Sequence, residues 1–118
     1  MQALSALALG ATGYLSGEGN VAPKLAQSLI DHYRSGDYPS AEEAYSKINR
    51  LFAMMMMGVD GKAILRSMGL PGGYPRPPRM GAADDQSILA ARKRLAEIGI
   101  PELEPYLNDT PTRGRTTT

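Results

Sequence analysis

The sequence predicts a mostly helical chain that is one part of a larger α/β protein. Helix-forming patterns fill most of the 118 residues, whereas only Thr12–Ser16 has the apolar pattern of a buried β-strand. A single strand cannot form a sheet, because its amide and carbonyl groups need a neighbouring strand. No second strand pattern is visible along the chain. We therefore expect the rest of the sheet to lie outside this sequence.

The first 36 residues predict a helix, this strand and a second helix. Residues 2–9 are strong helix formers and are followed by Gly10 in the position where helices end. Asn20 is a favourable N-cap for the second helix, and Pro23 fits its first turn. The apolar face of this helix, which we expect to end at Gly36, is formed by Leu25, Leu29, Ile30 and Tyr33.

The next segment predicts a long amphipathic helix. Ser40 and Glu43 have the spacing of a capping box, in which each side chain binds the backbone amide of the other residue. We expect the helix to end at Gly58. Its apolar positions recur at helical spacing and are Ala44, Tyr45, Ile48, Leu51, Phe52, Met55 and Met56.

The remainder predicts two further helices separated by a long loop. Residues 60–69 predict a short helix that opens with an aspartate cap and ends at a glycine. Residues 71–83 are rich in Pro and Gly and predict a loop. Asp84 or Asp85 caps the last expected helix, which the Gly-Ile-Pro of residues 99–101 ends.

Composition and charge exclude several classes of protein. The chain has no cysteine, which excludes disulfides, thiol nucleophiles and thiolate metal sites. Its formal charge is +1, so nothing draws it as a whole to nucleic acid or an anionic membrane. No apolar run approaches the ~20 residues of a membrane span. Residues 1–11 lack the basic start and the long apolar run of a signal peptide, so we expect a cytoplasmic protein.

Residues 17–22 match the pattern G-x-G-x-x-A that opens dinucleotide-binding helices. That fingerprint also needs a second strand ending in an acidic residue about 20 residues further on. Asp37 has this distance, but it lies in a turn before a helix and follows no strand. In a plainer interpretation, the amides at the start of the helix form a small binding site for an anion such as a carboxylate or phosphate.

Other polar groups have both a chemical and a structural interpretation, and we favour the structural one for each. Glu18 could act in acid–base catalysis, but it has no visible partner and fits a solvated loop. His32 is the one histidine, and it fits a surface or packing position. Lys62 could be a reactive amine, and it fits an exposed helix position. Met54–Met57 could bind soft metals, but their helical setting favours core or subunit contacts.

A group of basic residues is expected to form a solvated face. Acidic residues are interleaved with it, and Tyr74 is its one aromatic neighbour, which is unlike a nucleic-acid site. The group consists of Arg76, Arg79, Arg92, Lys93 and Arg94.

The order of motifs along residues 2–100 carries a more specific signal. Residues 10–23 read Gly-Ala-x-Gly-x-Leu-Ser-Gly-x-x-Asn-Val-Ala-Pro. The similarity continues in short blocks at residues 35–37, 51–52, 61–63, 68–73 and 76–78. This ordered set resembles the C-terminal portion of the dihydrodipicolinate synthase / N-acetylneuraminate lyase family.

The resemblance implies a C-terminal fragment of a TIM (β/α)8 barrel followed by three C-terminal helices. Residues 1–36 would be the end of the barrel, with helix seven, strand eight and helix eight. Residues 37–107 would be the helical extension, and residues 108–118 a disordered tail. Members of the family are lyases and aldolases that bind pyruvate or another 2-oxo acid as a Schiff base on a lysine.

The resemblance also implies where the chemistry lies. The Schiff-base lysine and the catalytic tyrosine of the family would precede Met1, so no residue here is expected to be catalytic, and Lys62 does not take that role. Leu15 matches the position whose backbone lies beside the bound 2-oxo acid, and Ser16 and Gly17 follow along the pocket wall. Asn20 matches a structural asparagine. We expect no cofactor, metal, nucleic acid or membrane partner, and a homo-oligomer (a tetramer in the family) when complete.

Three functions stay open on the sequence alone. The chain is expected to be the C-terminal part of a Schiff-base lyase, inactive without the part that carries the lysine. Alternatively it is a non-catalytic helical interaction module. The third possibility is a nucleotide or anion binder at residues 17–22. The sequence does not name the reaction or the substrate.

Overall fold

The computed structural model describes residues 2–57, 60–77 and 85–108. These residues are mostly helical, and none of them forms a β-strand. The helices are α1 (Ala3–Ala8), α2 (Pro23–Ser35), α3 (Tyr38–Met56), α4 (Gly61–Ser67), α5 (Asp85–Ile98) and α6 (Glu104–Leu107). Two short 3-10 turns precede α2 and α6, at Glu18–Asn20 and Pro101–Leu103.

The predicted strand at Thr12–Ser16 is wrong for this chain, because the segment is an irregular loop. Within the described residues, the backbone of residues 13–16 makes no hydrogen bond to other backbone groups. A strand exists only as part of a ladder, and this part of the chain offers no partner for one. The side chain of Leu15, which a sheet would cover, is fully exposed at 103%.

The predicted helix ends agree with the structure where they can be compared. Gly36 follows α2 with a φ of 80°, a left-handed conformation that glycine adopts without strain. Its amide donates to the carbonyl of Tyr33, and the amide of Asp37 donates to that of His32. These bonds satisfy carbonyls at the end of the helix. Gly10, Gly69 and Gly99 also have positive φ, within two residues of the last residue of a helix. The expected end at Gly58 lies outside the described residues.

The starts of α2 and α3 differ from prediction. The capping box at Ser40 and Glu43 is wrong: the N-cap of α3 is Asp37, three residues before Ser40, and the helix begins at Tyr38. The Asp37 carboxylate accepts from the amide of Ser40 at 3.3 Å. Asn20 is not the N-cap of α2, since it lies in the preceding 3-10 turn and its side chain donates to the carbonyl of Gly17.

The starts of the two later helices are closer to prediction. Asp60 caps α4 as expected, accepting from the amide of Lys62 at 3.2 Å. Asp85 is the first residue of α5, and Asp84 lies outside the described residues. The predicted loop is irregular over residues 71–76, followed by a turn at 77, and its remainder is not described.

Helix α3 connects two hydrophobic clusters. Ile48 belongs to the first cluster, where α1 and α2 pack against the first half of α3. Leu51 and Met54 belong to the second, which joins α3 to α4, α5 and the C-terminal turn. The first cluster is Ala3, Leu29, Ala41, Ala44 and Ile48; the second is Val21, Ala22, Leu51, Met54, Ile64, Met68, Ala91, Leu95, Ile100 and Leu103.

Residues 101–107 form helical structure that was not predicted. A 3-10 turn and α6 follow α5, and Ile100 and Leu103 are both buried at 2% exposure. The spacing of Ile100, Leu103 and Leu107 is helical and would have indicated this segment. Of the predicted disordered tail, only Asn108 is described.

Candidate functional site

A hydrogen-bonded network organises the loop before α2. The Ser16 hydroxyl donates to Oε2 of Glu18 at 2.6 Å and accepts from the amide of Gly19 at 3.1 Å. Glu18 is 4% exposed, so its prediction as a solvated loop residue is wrong. A buried carboxylate needs hydrogen-bond partners, and Ser16 supplies one. Glu18 therefore fixes the shape of the loop.

Tyr14 anchors the same loop to α2. Its hydroxyl donates to the carbonyl of Ala26 at 2.9 Å. The pKa of Tyr14 is raised, first by burial and second by the negative charge of Glu18. The phenol thus stays protonated and serves as a donor at neutral pH.

The three predicted substrate-binding residues lie side by side in this loop with different surroundings. Leu15 is fully exposed, and Gly17 is exposed with no atom within 4 Å of the position that a Cβ would take. Ser16 is half-buried, because its hydroxyl is bound to Glu18. Leu15 and Gly17 therefore offer open surface, whereas Ser16 faces the internal network.

The amides at the start of α2 already hold an anion from the chain itself. Pro23, the first residue of the helix, has no N–H group to satisfy. The amides of Lys24 and Leu25 donate to the two carboxylate oxygens of Glu102, at 3.1 and 2.7 Å. The amide of Ala26 donates within the chain to the carbonyl of Ala22. The first turn thus has its donors satisfied, which argues against the anion and nucleotide interpretations of residues 17–22.

The remaining candidates of the sequence analysis occupy structural positions. His32 is half-buried, with Nδ1 3.8 Å from Oδ2 of Asp37. Lys62 is exposed, and its Nζ donates to the carbonyl of Tyr74 at 3.3 Å. Of the methionine run, Met54 is 3% exposed and lies in the core, while Met57 is 74% exposed.

Arg92 departs from the predicted solvated basic face. It is 8% exposed, and its guanidinium donates to the carbonyls of Ser67, Tyr106 and Leu107. Three acceptors suit the rigid fork of donors that arginine presents. The other described members of the group, Arg76, Lys93 and Arg94, are exposed as predicted, and Arg79 lies outside the described residues.

The described residues include neither a helix that could cross a membrane nor a cluster that could hold a metal ion. No helix among them has the length and apolar content to cross a bilayer. No three acidic or histidine side chains among residues 2–57, 60–77 and 85–108 come together as a set that could hold a metal ion.

Comparison with known proteins identifies the family. The model of the dihydrodipicolinate synthetase family matches residues 1–98. The 4-hydroxy-tetrahydrodipicolinate synthase 1 of Streptomyces coelicolor is 35% identical over 102 residues, which cover 80% of this chain and 33% of that protein. The 4-hydroxy-tetrahydrodipicolinate synthases of Methanopyrus kandleri and Corynebacterium aurimucosum are 30% and 35% identical, over 82% and 80% of the chain.

The chain spans about a third of the length of these curated relatives. No solved structure matches it. The match over residues 1–98 includes α1, the loop with Leu15, Ser16 and Gly17, and helices α2 to α5. The chain therefore belongs to the dihydrodipicolinate synthetase family.

Proposed function

We propose that this chain is the C-terminal part of a Schiff-base lyase of its family. The complete enzyme would carry out aldol condensation, aldol cleavage or dehydration on 2-oxo acids such as pyruvate, bound as an imine on a lysine. That lysine would belong to the part of the enzyme that precedes these residues, so the chain alone would be inactive. The family match and the one-third coverage of the synthases support this proposal.

The family match carries the proposal, and the loop at residues 13–16 is compatible with it. It has no backbone partner within the described residues, and it exposes Leu15 fully although helices on both sides of it are packed. A last barrel strand whose neighbouring strands belong to another part of the protein would lack the same partners. In the complete barrel we place the backbone of Leu15 beside the 2-oxo acid, and Ser16 and Gly17 along the pocket wall.

The lyase proposal is tested by restoring the missing part. The segment of the Streptomyces coelicolor relative that precedes the matched third is fused to residue 1 of this chain. Borohydride reduction in the presence of pyruvate should then give a covalent adduct detectable by mass spectrometry. The chain alone should give none. A folded fusion that forms no adduct, while the relative does, would defeat the proposal.

Gly17 offers a sharper test of the pocket assignment. Its φ is −66° and nothing lies within 4 Å of its Cβ position, so Gly17→Leu is compatible with the structure of this chain. In the fusion, the added side chain should raise the KM for pyruvate at least about tenfold, because it would enter the pocket. Gly13→Ala is the matched control, since its Cβ position is also open. An unchanged KM in Gly17→Leu would remove Gly17 from the pocket wall.

The alternative is a non-catalytic helical interaction module. It is favoured by the formation of both hydrophobic clusters from helices and turns alone within the described residues. A monomer of 118 residues that melts cooperatively and binds no apolar dye would support this alternative over the lyase fragment.

A further inference from the structure

The segment that follows α5 lies beyond the residues matched by the family model, yet it packs against the start of α2. The match ends at residue 98. Ile100 and Leu103 belong to the same buried cluster as Val21 and Ala22, which directly precede α2. The core thus holds the chain on both sides of Glu102.

Glu102 supplies a helix cap that the local sequence lacks. The N-cap position of α2 is Ala22, whose side chain has no acceptor. Both oxygens of the Glu102 carboxylate accept amide protons of the first turn, from Lys24 and Leu25. A negative charge at this end of a helix also interacts favourably with the helix dipole. A cap from 77 residues away thus replaces the usual local one.

Arg92 holds the other end of the same segment. Its guanidinium donates to the carbonyls of Tyr106 and Leu107, at 2.9 and 3.1 Å. These carbonyls lie at the end of α6, where helical acceptors lack intrahelical partners. The segment is therefore fixed by Arg92 at its end and by Glu102 near its start.

We propose that residues 100–107 form an intramolecular clasp, and that Glu102 is the positioning residue that fixes the start of α2 and the turn leading into it. The amides of Val21 and Ala22 donate to the carbonyl of Glu18, and the amide of Ala26 donates to that of Ala22. Turn and helix are thus one continuous hydrogen-bonded chain. Releasing the cap should loosen the turn as far as Glu18. This role does not depend on the proposed lyase activity.

Amide hydrogen exchange of the purified chain, followed by NMR, tests the clasp. In Glu102→Ala, exchange at Lys24 and Leu25 should accelerate about fivefold, as expected for loss of an N-cap. Exchange at Gly19 should also accelerate. The amide of Gly19 donates to the Ser16 hydroxyl, which is bound to Glu18, and Glu18 belongs to the turn that the cap fixes. Glu102→Gln should show a smaller effect, since glutamine keeps one acceptor oxygen.

Glu104→Gln is the matched control. Glu104 is exposed and lies two residues further on in the same segment, so its replacement should leave these amides unchanged. A purely global loss of stability would accelerate exchange in the middle of α3 by the same factor. Equal acceleration there, or none at Lys24 and Leu25, would overturn the proposal. Should Glu102→Ala fail to fold, Glu102→Gln decides in the same way: local acceleration supports the clasp, and unchanged exchange refutes it.

Discussion

The first 36 residues and residues 37–107 obtain their stability in different ways. In the later region, α3 and α4 begin with aspartate caps of their own, Asp37 and Asp60. In the first region neither helix has a local side-chain cap, and α2 uses Glu102 from the far end of the chain. The first region also exposes Leu15 completely.

This contrast shows which part of the chain depends on neighbours. Residues 37–107 contain the local aspartate caps of α3 and α4, together with most of the larger buried cluster. The first region relies on contacts from elsewhere, both within the chain and, under the proposed function, from the missing barrel strands. Substitutions in the two regions should therefore have unequal effects on the free energy of unfolding.

The largest difference is expected between two leucines. Leu51 in α3 is fully buried, so Leu51→Ala should lower the free energy of unfolding by about 2–5 kcal/mol through lost burial and a cavity. Leu15→Ala removes a side chain that contacts solvent and should change the free energy of unfolding by less than about 0.5 kcal/mol. Urea denaturation followed by circular dichroism measures both. Similar costs for the two variants would contradict the burial of Leu51 and the exposure of Leu15.

A smaller loss is expected from the arginine that holds the C-terminal segment. Arg92→Ala removes hydrogen bonds from a charged donor to three carbonyls and should cost about 2 kcal/mol. Arg94 is exposed and only two residues away, so Arg94→Ala is the matched control and should change the unfolding free energy by less than about 0.5 kcal/mol. An equal effect of the two substitutions would show that the buried hydrogen bonds of Arg92 contribute nothing to the free energy of unfolding.

The exposed leucines of the first region should affect association rather than stability. Leu9 is 89% exposed and Leu15 103%. Exposed apolar surface promotes association and binds apolar dyes. The double variant Leu9→Ser and Leu15→Ser should therefore reduce dye fluorescence and light scattering at an unchanged urea midpoint. A parent chain that neither binds dye nor associates would contradict this expectation.

Helices were predictable where their signals are local. Gly36 and Asp60 mark a helix end and a helix start in a few residues, and the structure has both where expected. The start of α3 was predicted too late because two capping signals compete. Asp37 is followed by Pro39, which suits a first turn, and the signal at Asp37 outweighs that at Ser40. Capping signals so close together cannot be ranked from one sequence.

Features that depend on distant residues were not predictable. Thr12–Ser16 has the pattern of a strand, but strand formation depends on a partner that the pattern does not contain. The burial of Glu18 and Arg92 follows from packing, and the cap by Glu102 joins residues 78 apart in sequence. The sequence therefore did not predict the internal network of this loop, and the assignment of Leu15, Ser16 and Gly17 to a substrate pocket stays a prediction.

The smallest expected effect concerns the cap of α3 and its dependence on pH. Hydrogen bonds from the Ser40 hydroxyl and amide, together with the nearby charge of His32, hold the pKa of Asp37 below its ordinary value of 3.8. The folded state thus binds this proton less tightly than the unfolded state, so the stabilisation is complete above the ordinary pKa and is lost as the pH falls through the lowered one. Asp37→Asn keeps a capping oxygen without a titrating charge.

The advantage of the parent chain over Asp37→Asn in urea midpoint should therefore be present at about pH 5 and should shrink below about pH 4. All other acidic groups are common to both chains, so the difference isolates Asp37. An advantage that stays constant or grows in acid would show that the charge of Asp37 does not stabilise the start of α3. The cap would then act through its hydrogen bond alone, as an uncharged asparagine does.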